Sequence, residues 1–445
     1  MRWLRVPRTE LREVGGLAWP LILSNITVPL LGLVDTAVLG HLARADYLGA
    51  ATLGATLFSF LYWGFGFLRM GTTGLTAQAR GSDDWHGVSR LLGQGWLMAT
   101  AIGLILIAVH PPLIRLGLWL LDGSPAVTEL AHRYAAIRIA SAPAVLANYA
   151  ILGWALGLGR SRVALGLMVV NNGLNILLDL VFVVGLGMTV EGVALGSVLA
   201  DYGALATGIG WALFAARRWQ LPRRPGGLLA WRQYRQLFQV NAALFVRTLC
   251  LLFAIAFFHS QGARLGDTLL AANAVLMQFI LITAYGLDGF AHAAESLVGR
   301  SIGANDAVAF RRRLGAAALW SAVTATLASL AFGLGGEALV GLLTSLPEVR
   351  AVAATYLPWM VAMPLLAAGS YLLDGVFVGA TRTRAMRDTM IVALAIYLPC
   401  WYATTGLGNH GLWLAFSAFT LARSLGLGLW LAVALRRRSW FTASA

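Results

Sequence analysis

Apolar runs near or above the ~20 residues that a helix needs to cross a bilayer recur from one end of this chain to the other. The segment 163–186, VALGLMVVNNGLNILLDLVFVVGL, is one of many. A soluble domain has no core large enough to hide so many such runs, and barrel strands would be about ten residues long with alternating polarity. The chain therefore reads as a polytopic, all-α membrane protein. Composition agrees: 59% of its 445 residues are hydrophobic and only 12% are charged, about half the charge share of soluble domains.

The net charge of +14 would suggest nucleic acid in a soluble protein. Here it follows membrane topology, and no nucleic-acid partner is expected. All 33 basic residues are arginine. Without lysine there is no phosphate-binding GxxxxGK[ST] loop and no Schiff-base chemistry, so the chain is neither its own ATPase nor, on this reading, an enzyme, and no cofactor is expected. The "GWALGLGR" stretch starting at Gly153 ends a membrane helix at a basic loop with no strand before it, so it is not a dinucleotide fingerprint. Cys250 and Cys400 both lie in apolar runs, which argues against a disulfide.

Twelve spans fit, at roughly 15–41, 47–78, 88–112, 132–158, 163–186, 190–215, 235–261, 269–299, 313–335, 350–379, 388–407 and 410–435. With the N-terminus inside, 24 arginines fall on the cytosolic side and six at the outer ends, while Arg69, Arg247 and Arg423 remain within spans. This bias places both termini in the cytosol. The N-terminal Arg2, Arg5, Arg8 and Arg12 read as an uncleaved cytosolic start, because no small-residue cleavage site follows a short apolar core.

The polar stretch 216–234 divides the chain, and the two sides resemble each other. Gly81 and Gly303, Gly93 and Gly315, and Tyr134 and Tyr356 are each 222 residues apart, and GLGRSR at 157–162 returns as GATRTR at 379–384. Six spans per repeat return the chain to the same side. The expected architecture is thus two parallel six-helix lobes, 1–215 and 235–445, joined by a cytosolic linker and related by a pseudo-twofold axis along the membrane normal, with substrate sites in and between the bundles.

Ionisable groups within spans are costly and mark functional or paired positions. Asp35 sits in the outer half of span 1, after Pro29, which permits a hinge in that helix. Its alternative reading is a solvated acid near the interface. In span 5, Asn175 and Asp179 share a helical face, extended inward by Asn171. Two carboxylates with an amide between them suit a proton or a hard cation such as sodium, whereas a polar helix–helix contact is the structural alternative. Ser197 and Asp201 on span 6 are placed to join that cluster. Asp288 and Glu295 lie on one face of span 8, and Arg69 lies on its repeat partner, span 2. An ion pair closing an inner gate and a merely snorkelling arginine are both open there. Asp374, Arg247 and Arg423 lie deeper, and the two arginines are expected to pair structurally with carboxylates.

Taken together, the twelve spans, the two parallel halves, VDTAVLGH in span 1 and NILLD in span 5 resemble the multidrug and toxic compound extrusion (MATE) transporters. GLDGFAHAAESLVG in span 8 and LDGVFVGATRTR at the end of span 10 resemble its DinF-type bacterial branch. The resemblance covers essentially the whole chain. It implies a monomeric, multi-pass exporter of the bacterial inner membrane that expels small organic cations or amphipathic drugs against inward proton or sodium flow. It implies a cation site at Asp35, Asn175 and Asp179, with Ser197 at a place where the family commonly has threonine. The related NorM-like branch has an acidic residue in span 7; here that span offers only Arg247, which leaves Asp374 alone, short of a second cation site. A flippase for a lipid-linked precursor is the alternative function, and a non-transporting membrane scaffold is the third class.

Overall fold

The computed structural model describes the backbone of residues 7–40, 45–121, 123–222, 231–437 and 439–441; the side chains of residues 28–40, 45 and 231–233 lie outside the description. Among the described residues the chain is helical throughout. The first half comprises α1 (Arg8–Gly40), α2 (Ala45–Gly64), α3 (Phe67–Gly81), α4 (Trp85–Ala108), α5 (His110–Leu121), α6 (Pro125–Arg138), α7 (Ala142–Gly157), α8 (Ser161–Asp179) and α9 (Val190–Arg218). The second half comprises α10 (Trp231–Arg264), α11 (Asp267–Gly303), α12 (Ala307–Leu343), α13 (Pro347–Gly379), α14 (Thr383–Thr404) and α15 (Asn409–Arg436). Eleven helical stretches among the described residues are long and apolar enough to span a bilayer, with α2–α3 and α6–α7 each forming one. The 33-residue α1 supplies the twelfth.

Each span begins and ends for local reasons. The Asp84 carboxylate accepts from the Gly87 N–H at 2.7 Å and starts α4; Asp306, 222 residues on, accepts from Val308 and Ala309 at 3.0 and 2.9 Å and starts α12. The residues just before these caps, Asp83 and Asn305, take left-handed backbone angles of +55° and +53°, as acids and amides do most readily. Pro111 and Pro112 sit in the first turn of α5, where a missing N–H is harmless. What reads in sequence as the end of span 3 is therefore a break followed by a separate short helix.

Two compact units result. One contains residues 23–237, and the other contains residues 1–22 together with 238–445. The division falls inside α1, and its contacts show why. On the early part, Glu13 accepts from Arg313 at 3.1 and 3.2 Å, the Leu11 carbonyl accepts from Trp320 Nε1 at 3.1 Å, and Ile22 packs on Gly289. Farther along, Ser24 donates to Met168 Sδ at 2.7 Å and Asn172 Nδ2 donates to Thr27 Oγ1 at 2.9 Å, which fastens α1 to α8.

The 222-residue repeat holds at the level of atoms. In the first half, Gly153 on α7 lies against the Arg69 carbonyl of α3, and Gly157 lies against the Thr73 carbonyl. In the second half, Gly375 lies against the Ala291 carbonyl and Gly379 against the Glu295 carbonyl. Each position is displaced by the same 222 residues. Two helices can approach this closely only where a side chain is missing, as small residues allow in membranes. The outer surface is apolar, with Leu334, Leu342 and Trp119 among the most exposed side chains, as expected of helices facing lipid.

Gly375→Ala puts a Cβ into the Ala291 carbonyl of α11, with backbone on both sides, so the helices must separate. The expected cost is about 1–3 kcal/mol, measured as a lowered thermal midpoint of the purified protein. Gly335→Ala, where nothing lies within 4 Å, should leave the midpoint unchanged or slightly raised.

Candidate cation-coupling site

The sequence places Asn175 and Asp179 one turn apart on α8, and the structure buries both at 5% and 0% exposure. They face α9. Asn175 Nδ2 donates to Ser197 Oγ at 2.9 Å, and Asn175 Oδ1 is buried with no hydrogen-bond partner. One residue before Ser197 is Gly196. A Cβ there would lie 2.6 Å from Asp179 Oδ1, so the carboxylate reaches the α9 backbone only because this position is glycine. The result is a set of oxygen atoms, from a carboxylate, an amide and a hydroxyl, on two packed helices inside apolar surroundings. Hard cations take such ligands, and a carboxylate there can carry a proton.

Directly after Asp179 the helix widens into a π-helical stretch, Leu180–Gly185, closed by Leu186 N–H to the Val181 carbonyl at 2.9 Å. Wide turns of this kind occur mostly at functional positions. Asn171 lies one turn before Asn175 on α8, with its Oδ1 buried and without a hydrogen-bond partner. Asp35 and Pro29 belong to α1, but their side chains lie outside the described residues.

Asp201, one turn beyond Ser197, has a different partner. Its Oδ2 accepts from Arg138 Nη1 at 2.6 Å, and both side chains are largely buried, at 8% and 14% exposure. Arg138 also donates to Ser141 Oγ and lies over the Tyr62 and Phe58 rings, 5.6 and 5.9 Å from their centroids. The Tyr62 hydroxyl reaches Ser141 Oγ at 3.1 Å, and Asn148 Nδ2 donates to the Asp201 carbonyl at 3.0 Å. This is a closed network joining α2, α6, α7 and α9. Arg138 is the last residue of α6, at the junction with α7, where the chain makes a 3-10 turn at Ile139–Ser141.

The remaining candidates belong to both units. Arg69 is half-buried on α3, in the first-half unit. Asp288 and Glu295 are on α11, in the other; Glu295 is 1% exposed, and its Oε2 lies 3.2 Å from His292 Nδ1. Asp374 Oδ2 accepts from both Arg247 and Arg423, the latter at 2.9 Å. The 222-residue shift carries Asp35, Asn175, Asp179 and Ser197 onto Phe257, Tyr397, Trp401 and Phe419. Tyr397 is fully buried, and its ring lies 5.4 Å from Phe257 and 5.6 Å from Phe419. The second half thus has aromatic residues at the positions where the first half has carboxylate, amide and hydroxyl side chains.

The MatE family model matches this chain twice, at residues 20–181 and 243–402, once in each half. The chain belongs to the MatE family. It is 44% identical to DNA damage-inducible protein F of Escherichia coli K12 over 97% of this chain and 94% of that protein. It is 28% identical to a probable multidrug resistance protein NorM of Pseudomonas putida over 96% and 92%. Its fold superposes on a MOP superfamily transporter from Pyrococcus furiosus with a TM-score of 0.86 at 19% identity, covering 97% of this chain and 96% of that one. A MATE transporter in the straight conformation gives the same TM-score at 18% identity over 97% of both chains. This member of the family is a multi-pass transporter of the bacterial inner membrane, with the twelve-helix, two-lobe fold, and not an enzyme.

Removing one partner of the Arg138–Asp201 pair leaves the other charge buried. Asp201→Asn and Arg138→Gln are each expected to cost about 3–5 kcal/mol, and the double variant should cost less than the two losses added. Thermal unfolding of the four proteins measures this; strictly additive losses show that the pair is not coupled.

Proposed function

We propose that this protein exports small cationic or amphipathic compounds by alternating access, driven by inward movement of protons or sodium ions through the first-half unit. The observation that carries the proposal is the buried oxygen set of Asp179, Asn175 and Ser197, held between α8 and α9 by the Gly196 gap. A carboxylate in that position has a use if an ion or proton occupies it in part of the cycle. Asp35, on the helix that Ser24 and Thr27 fasten to α8, is proposed to complete the site. Loading and unloading of this site then favours different conformers, and coupling follows from that differential affinity.

Coupling is proposed to be confined to the first half. Asp179 and Asn175 have Trp401 and Tyr397 as their counterparts in the second half, and Asp374 is engaged by two arginines. The arginine distribution supports an orientation with both termini and the 216–234 linker in the cytosol, and a single chain, as a monomer, supplies every group the cycle requires.

In proteoliposomes with an imposed pH or sodium gradient, Asp35→Asn and Asp179→Asn are each expected to abolish gradient-driven efflux of an organic cation while the protein remains folded. The amide is nearly isosteric but does not titrate. Groups acting as one site are not additive, so the double variant should be little worse than either. Full gradient-driven efflux by Asp179→Asn removes it from the mechanism, and multiplying losses show two independent sites. The gradient that supports wild-type efflux identifies the coupling ion.

A further inference from the structure

Within the second-half unit, one carboxylate answers two buried guanidiniums. Arg247 on α10 and Arg423 on α15 both place Nη2 on Oδ2 of Asp374, on α13. The three side chains retain 8%, 8% and 14% exposure. Each guanidinium carries five N–H donors, yet Nε of Arg247 and Nε of Arg423 are both buried with no hydrogen-bond partner. Charged donors left unanswered in apolar surroundings are costly. The first-half arginine shows the contrast, because Arg138 is matched one-to-one by Asp201 and further satisfied by Ser141 and two ring faces. Asp374 is the carboxylate that both guanidiniums hydrogen-bond, and Tyr371 lies beside it on α13. Two guanidiniums thus share one hydrogen-bonded carboxylate. The Arg423 guanidinium also lies over Phe419, 5.6 Å from the ring centroid, at the edge of the aromatic packing around Tyr397.

We propose that Arg247 and Arg423 bind the carboxylate of an apolar amphiphile, with the free Nε–H edges as donors and Phe419 as apolar support. Asp374 takes Nη2 of each guanidinium, so each arginine has its Nε–H left to offer one carboxylate oxygen as a charge-assisted donor. The substrate range then includes zwitterionic and anionic amphiphiles besides cations. The proposal rests on the transport reading for its biological use, but binding is measured without transport.

The test uses the purified full chain in nanodiscs of zwitterionic lipid, titrated calorimetrically with 4-phenylbutyrate and with its uncharged amide. Wild type is expected to bind the acid at least about tenfold more tightly than the amide, a ratio in the range expected for a charge-assisted hydrogen bond. Arg247→Gln should bring the two ligands to near parity. Arg423→Lys keeps the charge, loses the Nε–H and should lose most of the preference, so it stands in if Arg247→Gln does not fold. Asp374→Asn removes a competing acceptor and should tighten binding of the acid severalfold. Equal binding of acid and amide by wild type overturns the proposal. So does an Asp374→Asn protein with no gain for the acid, which marks the cluster as a structural ion pair. Loss of acid binding in discs containing anionic lipid assigns the donors to lipid headgroups and overturns the amphiphile. Failed acid binding with intact gradient-driven cation efflux rejects the anion site alone, and the reverse result rejects the transport reading alone.

Discussion

A charge placed within a bilayer has to be answered inside the protein, because lipid offers no counter-charge and no hydrogen bond. Much of the internal organisation of this transporter can be traced to that requirement. In the first half, Arg138 and Asp201 tie the middle of the α6–α7 span to α9, with Ser141, Tyr62 and Phe58 completing the arginine's surroundings. In the second half, Asp374 draws α10 and α15 onto α13. The 222-residue repeat places Asp201 and Arg423 in register. The same position on the sixth span of each half thus carries a charge paired to a neighbouring span, but with the sign inverted.

Close helix contact supplies what charge pairing does not. Between α3 and α7, and between α11 and α13, glycine meets a backbone carbonyl at successive turns. Apolar side chains gain little from one another in lipid, which solvates them equally well, so association relies on dispersion contact over backbone brought near. Gly196 uses the same device for a different end. There the missing side chain admits a carboxylate, not a carbonyl, and Asp179 lies against α9 where any other residue would push it away.

Much of this was legible in the sequence. Apolar runs marked the spans, and their edges lie within a few residues of the helices except where a helix continues into polar sequence. Span 313–335 falls short of α12 (Ala307–Leu343) because Asp306 caps that helix ahead of Arg311–Arg313, and because it runs on past Glu337 through a further apolar turn to Leu343. The repeat was legible as a constant offset, and so was the shared face of Asn175 and Asp179. Other features were not. Spacing along one helix cannot show that Asp201 meets Arg138, since that depends on how α6 and α9 pack. Gly196 was one glycine among 50, and nothing in its neighbours announced a carboxylate opposite. Asn172, which donates to Thr27 and so joins α1 to α8, is not distinguished in sequence from Asn171 and Asn175, because its role depends on where α1 packs.

The halves share a backbone plan, yet they differ where chemistry requires it. A site that takes up and releases an ion needs acceptor atoms whose engagement changes through the cycle. Asp179, Asn175 and Ser197 offer such atoms on two adjoining helices. Their counterparts Trp401, Tyr397 and Phe419 offer rings, and Tyr397 is packed against Phe257 and Phe419 with no exposure. Aromatic rings fill volume and resist rearrangement, and they offer no carboxylate at these positions. Arg423 then has a consequence for selectivity. A guanidinium held over Phe419 disfavours a small inorganic cation in that region, and under the proposal above its unpartnered Nε–H would take an oxyanion carried on an apolar body. On the proposed reading, two lobes built on one repeat would divide the work, one binding the coupling ion and the other the charge of the cargo.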